Sequence, residues 1–190
     1  NNQSVPYTVE EMVNAAYECF LAGASIIHLH AREDDGTPTQ AKTRYQVIYQ
    51  AIKEKCPELI VQVSTGGAVG MSREERADVL NIFPEMATLD CGTLNFGGDE
   101  IFVNTENDII YFAEKMNELG VRYELECFEK GHIDTTARLI KKNIIKGHLH
   151  YSFVLGVNGG MTGEERDFLF MKDRIPQDAT YSIAGVGRFE

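Results

Sequence analysis

An α/β fold built on a parallel sheet is predicted by two features of this 190-residue chain. Short apolar, β-rich runs recur at a spacing of about 30 residues, and charged amphipathic segments separate them. Strands that alternate with helices pair in parallel, because each helix returns the chain to the same edge. The predicted strands are SIIHLHA (25–31), LIVQVST (59–65), MATLDCGT (86–93), VRYELECF (121–128), LHYSFVLGV (149–157) and ATYSIAGVG (179–187).

Between them, apolar positions repeat at three and four residues, as in TVEEMVNAAYECFLAG and NTENDIIYFAEKMNELG, which is the helical period. Thr8-x-x-Glu11, Ser72-x-x-Glu75 and Thr162-x-x-Glu165 each match a capping box, and Gly23 and Gly120 stand where helices should stop. Six strand–helix units preceded by a helix at 8–22 fall short of the eight that close a barrel, which take about 250 residues. The expectation is a (β/α)8 TIM barrel, present as one partial domain over residues 1–190 with its first and last strands missing. An open doubly wound sheet is the alternative.

Hydrophobic residues make up 43% of the chain, enough for a full core. A formal net charge of −11 argues against general binding to nucleic acid or an anionic membrane, although a small anion can still bind locally. No apolar run reaches the length of a membrane span and no signal peptide opens the chain, so the expected location is the cytoplasm. Cys19, Cys56, Cys91 and Cys127 lack ligand-like spacing and read as reduced thiols, mostly in the core.

Sites on parallel sheets form at the carboxyl ends of the strands, and that rule separates two H-x-H pairs. His28 and His30 lie late in their strand, before the polar loop AREDDGTPT, whereas His148 and His150 open theirs. Residues two apart on a strand share a face. The first pair therefore suits zinc or a similar borderline metal, the plainer reading being a ring that satisfies a hydrogen bond inside the core, and the second suits the floor of the barrel. VSTGGAVGMSREER joins a strand to a capped helix and offers Ser64 and the bare N–H groups of Gly66 and Gly67 to an anion; a tight turn needing only glycine geometry is the plainer reading. Thr88 and Asp90 share one face of their strand, as do Glu124 and Glu126. Glu126, nearer the carboxyl end, is open to three roles: a base, a partner that orients a histidine, or a member of a core ion network. Arg188 follows the last strand, where it suits a carboxylate or simply the surface.

HLHAREDDGTPT, STGGAVGMSREER, PEMATLDCGTLNFGGDEIFVNT, YELECFEKGHI and FVLGVNGGM, in this order, resemble the β-keto acid cleavage enzymes, such as the 3-keto-5-aminohexanoate cleavage type, over essentially the whole chain. The resemblance implies a zinc-dependent (β/α)8 barrel, usually a homotetramer. The implied reaction takes a β-keto acid and acetyl-CoA to acetoacetate and a new acyl-CoA. Carried over by position, His28 and His30 match the two histidine ligands of zinc, and Ser64, Gly66 and Gly67 match the loop that holds the substrate carboxylate. Thr88 and Asp90 match substrate-contacting positions, and Glu124 and Glu126 match an acidic motif. The family's glutamate ligand to zinc, with a catalytic arginine and aspartate, belongs to a last strand that these residues lack. Two readings compete: a metal-dependent hydrolase on the same barrel, and a non-catalytic barrel fragment.

Overall fold

The computed structural model describes residues 5–189, and the chain divides between Ala87 and Thr88 into two compact units. In the first, helix α1 (Val9–Leu21) precedes strand β1 (Ile26–Leu29), helix α2 (Lys42–Lys55), strand β2 (Ile60–Val63) and the short helix α3 (Arg73–Ala77). The Thr8 hydroxyl accepts the Glu11 N–H at 3.2 Å while the Glu11 carboxylate accepts the Thr8 N–H at 3.0 Å, so α1 starts with two otherwise orphaned donors satisfied. Ser72 and Glu75 repeat the exchange at α3. α1 ends before Gly23, whose φ of 102° reverses the chain into β1. Tyr45, Ile48 and Ile52 line one side of α2 and are buried along with Leu59, Val61 and Val63. At roughly 1.5–3 kcal/mol for each large apolar side chain, this cluster is the main reason the unit holds.

β1 and β2 run parallel with Ile26 opposite Ile60 and Leu29 opposite Val63, a register that sets His28 beside Gln62. β2 pairs in turn with the first residues of strand β3 (Met86–Asp90).

The second unit holds the rest of β3, the strands β4 (Leu94–Phe96) and β5 (Glu100–Phe102), helix α4 (Glu106–Leu119) and strand β6 (Arg122–Cys127). Helix α5 (Lys130–Lys141), strand β7 (His150–Leu155), helix α6 (Glu165–Lys172) and strand β8 (Thr180–Gly185) follow. β6, β7 and β8 pair in parallel, and the hydrogen-bonded order among the described strands is β1-β2-β3-β6-β7-β8, each added next to its predecessor in the βα alternation. That order is the winding of a βα barrel.

Three local features differ from expectation. β4 and β5 form an antiparallel hairpin whose turn uses Gly97 and Gly98 at φ 69° and 111°; strands of three residues are too short for a periodicity to show. Thr162 does not cap α6. The helix starts at Glu165 after Glu164, which puts Glu165 at the first helical position instead of the third, and Thr162 bonds the Asp167 carboxylate. α4, by contrast, has a capping box of Thr105 with Asp108, the shorter acid doing the work of Glu. The cysteines follow expectation: Cys56, Cys91 and Cys127 are buried free thiols, and Cys19 is exposed. No helix among the described residues is long and apolar enough to cross a membrane.

Candidate functional site

In the first unit the carboxyl ends of β1 and β2 carry the imidazole pair and the glycine turn. His28 lies within β1 and His30 just beyond it, with ring centroids 4.7 Å apart. Their Nε2 atoms face each other at 2.8 Å. The far nitrogen of His28, Nδ1, donates its hydrogen to the Gln62 Oε1 at 2.6 Å. An amide oxygen only accepts, so it holds the proton on Nδ1 and leaves the Nε2 lone pair directed toward His30. Loss of surrounding water, followed by the charges of His28 and Arg32, pushes His30 down to about 4, so it is neutral near pH 7 and able to donate a lone pair.

Two imidazoles whose Nε2 atoms face each other, with one held from behind by Gln62, fit zinc in donor type. No group of three or more His, Cys, Asp and Glu side chains suited to a metal occurs among the described residues.

Next in the chain, Ser64 and Thr65 are buried where β2 ends. The Gly66 N–H donates to the Ser64 Oγ at 3.1 Å, which leaves the hydroxyl hydrogen of Ser64 to donate elsewhere. Gly67 has φ 63°, and a β-carbon there would lie 2.8 Å from the Arg76 Cγ and 3.0 Å from the Met71 Sδ. Glycine is thus required twice over, by backbone and by packing.

The second unit gathers the acids. Thr88 and Asp90 on β3 and Glu124 on β6 are buried, and Glu126 is half-buried. Burial, then the neighbouring Asp90 and Glu124 carboxylates, push Glu126 well above the usual carboxylate range. Glu124 and Glu126, alike in sequence, differ in surroundings. Ser182 Oγ donates to Glu124 at 3.3 Å, and the His150 Nε2 lies 3.2 Å from the same carboxylate without the alignment of a hydrogen bond. His150 Nδ1 and His148 Nε2 both meet the Thr180 hydroxyl, at 2.8 and 2.9 Å. The second H-x-H pair is therefore tied to a threonine at the amino ends of β7 and β8, as its position predicts. Arg188 lies with its guanidinium 4.7 Å from the centre of the Phe189 ring.

One residue that escaped the reading of the sequence is Gln62, and the packing of His132 was not legible in it either. Gln62 is 1% exposed, and its signal was a lone amide inside the apolar run LIVQV. His132, in the first turn of α5, accepts the Phe128 N–H on Nδ1 at 3.2 Å, and burial lowers its proton affinity. Its ring occupies the space that any side chain at Gly92 would need, 2.3 Å from a β-carbon placed there. A lone histidine in a helix gives no signal of such packing.

Parallel strands in this order define a βα-barrel protein, with imidazoles and a hydroxyl-bearing glycine turn near strand ends in the first unit and buried acids on the strands of the second. The family model of the beta-keto acid cleavage enzyme matches residues 1–190, and the chain belongs to that enzyme family. It is 54% identical over 188 residues to the 3-keto-5-aminohexanoate cleavage enzyme of Acetoanaerobium sticklandii, covering 99% of this chain and 69% of that protein. It is 34% identical over 191 residues to the 3-oxoadipate:acetyl-CoA acetyltransferase of Cupriavidus necator, covering 99% and 66%. Among solved structures, the ternary complex of ObcA with a C4-CoA adduct and oxalate superposes with a TM-score of 0.70 at 21% identity, over 81% of this chain and 38% of that one. That likeness shows the fold, a (β/α)8 barrel of which the described residues supply six parallel strands.

Proposed function

We propose that the protein to which this chain belongs is a zinc-dependent β-keto acid cleavage enzyme that condenses a β-keto acid with acetyl-CoA, giving acetoacetate and a new acyl-CoA. Family membership and the printed names of the relatives support the reaction class. The observation that carries zinc is the imidazole pair, with Nε2 atoms 2.8 Å apart and His28 locked by Gln62. His28 and His30 would hold the metal, which would act as a Lewis acid toward a 1,3-dicarbonyl substrate.

This chain's own groups have separable tasks. Ser64 and the N–H groups of Gly66 and Gly67 bind and orient the substrate carboxylate. Thr88 and Asp90 contact substrate from β3. Glu126, protonated more readily than an ordinary carboxyl, exchanges a proton with the reacting carbon skeleton, and the Glu124 carboxylate beside it helps to raise that proton affinity. A 1,3-dicarbonyl substrate needs an anchor for its carboxylate and a group that gives and takes a proton, and these residues include both. The same reading places the site on one barrel domain of a cytoplasmic homotetramer.

The test is zinc content of the whole enzyme beside a His28→Ala/His30→Ala variant, followed by a coupled assay with β-keto acids and acetyl-CoA. About one zinc per chain, lost together with activity in the variant, is the expected result. Zinc unchanged in the variant would overturn the metal assignment.

A further inference from the structure

The turn that carries Ser64 is held from behind by two buried side chains with no other evident task in the reaction. Gln40 is 8% exposed and Arg76 is 4% exposed. The Gln40 amide donates from Nε2 to the Ser64 carbonyl at 2.8 Å and more weakly to the Arg76 carbonyl at 3.4 Å. The Tyr45 hydroxyl donates to the Gln40 Oε1 at 3.3 Å, which fixes which end of the amide faces the turn. Arg76 donates from Nε to the Thr65 carbonyl at 2.8 Å.

In a trans peptide the carbonyl and the next N–H point in opposite directions. Pulling the Ser64 carbonyl toward Gln40 therefore turns the Thr65 N–H the other way. Pulling the Thr65 carbonyl toward Arg76 turns the Gly66 N–H away from Arg76, where it donates to the Ser64 Oγ at 3.1 Å. An Oγ that accepts from Gly66 sends its own hydrogen outward. Gly67, packed on the Arg76 stem, fixes the next step of the turn.

We propose that Gln40 and Arg76 are positioning residues: by gripping two consecutive carbonyls, at Ser64 and Thr65, they aim the Ser64 hydroxyl and the following N–H groups at a substrate carboxylate. The inference rests on the reading of this turn as the carboxylate receptor. A carboxylate binds well only to donors already oriented, since donors free to rotate lose entropy on binding.

The experiment compares two ligands on the whole enzyme. Acetoacetate carries the carboxylate; acetylacetone keeps the 1,3-dioxygen pattern and lacks the negative charge. Dissociation constants and thermal midpoints are measured for the wild type and for Gln40→Met, Arg76→Lys and Ser64→Ala. Gln40→Met is expected to weaken acetoacetate about tenfold, the effect of one buried hydrogen bond, while acetylacetone changes less than about twofold. Arg76→Lys retains a donor and is expected to lose less, which also keeps the question open to measurement if Gln40→Met does not fold. Equal weakening of both ligands, or none, in both positioning variants would overturn the inference. If Ser64→Ala weakens acetoacetate selectively while the positioning variants do not, the receptor reading stands and the positioning role fails. If Ser64→Ala leaves acetoacetate binding unchanged, the receptor reading itself fails, and the positioning role with it.

Discussion

At the scale of single residues, hydrogen-bond direction decides what the polar groups can do. Gln62 accepts from His28 Nδ1, and this one contact determines which imidazole nitrogen is available. Gln62→Leu, nearly the same in volume, should leave the strand pairing intact and weaken zinc binding roughly 10- to 100-fold by removing the group behind the proposed ligand His28. Competition with a chromogenic chelator would measure it, and unchanged affinity would refute the locking role. Glu126 makes a second residue-scale prediction. Its folded-state proton affinity is raised from the usual value near 4.5, so folding takes up a proton. The contribution to stability is fully present below that value and is lost as the pH rises through the raised folded value. Glu126→Gln should therefore raise the melting temperature at pH 8 relative to wild type and matter less at about pH 4.5. Thermal scans across pH would read the difference directly; a variant destabilised most at high pH would contradict it.

At the scale of elements, caps and glycine contacts determine where helices and turns begin. The reciprocal exchange between Thr105 and Asp108 satisfies two donors at the start of α4. Thr105→Ala is expected to cost about 1 kcal/mol in urea unfolding, without change in the slope of the transition. Gly92 is a stricter case, because a methyl group there meets the buried His132 ring. Gly92→Ala should destabilise by about 1–3 kcal/mol, and the added variant His132→Ala should restore part of the loss if steric overlap is the cause. The hairpin of β4 and β5 shows the opposite limit of legibility. Its strands are three residues each, Phe96 and Phe102 meet across it at 5.9 Å, and a pairing this short leaves little periodic trace in sequence.

At the scale of the whole molecule, the strand order β1-β2-β3-β6-β7-β8 follows the chain, each strand of the sheet laid beside the one before it, as consecutive βα units usually are. The chain spans 69% of the length of the Acetoanaerobium sticklandii relative and 38% of ObcA. Among the described strands β8 pairs with β7, and its Tyr181 and Ile183 are exposed.

The alternation of strand and helix, the family-bearing motifs, and the carboxyl-end position of His28, Ser64 and Glu126 could all be read from residue order, because they depend on local periodicity and on the polarity of parallel strands. Tertiary structure alone decided the rest. Residues 34 apart, His28 and Gln62, become partners only through the register of β1 on β2. Glu124 and Glu126, two residues apart and chemically identical, are separated by what faces them: Ser182 and His150 for the first, the Asp90 and Glu124 carboxylates for the second. Gln40 and Arg76 reach the Ser64 turn from elements 24 and 11 residues away. Local propensity depends on neighbours in the chain, whereas proton affinity and hydrogen-bond direction depend on neighbours in space.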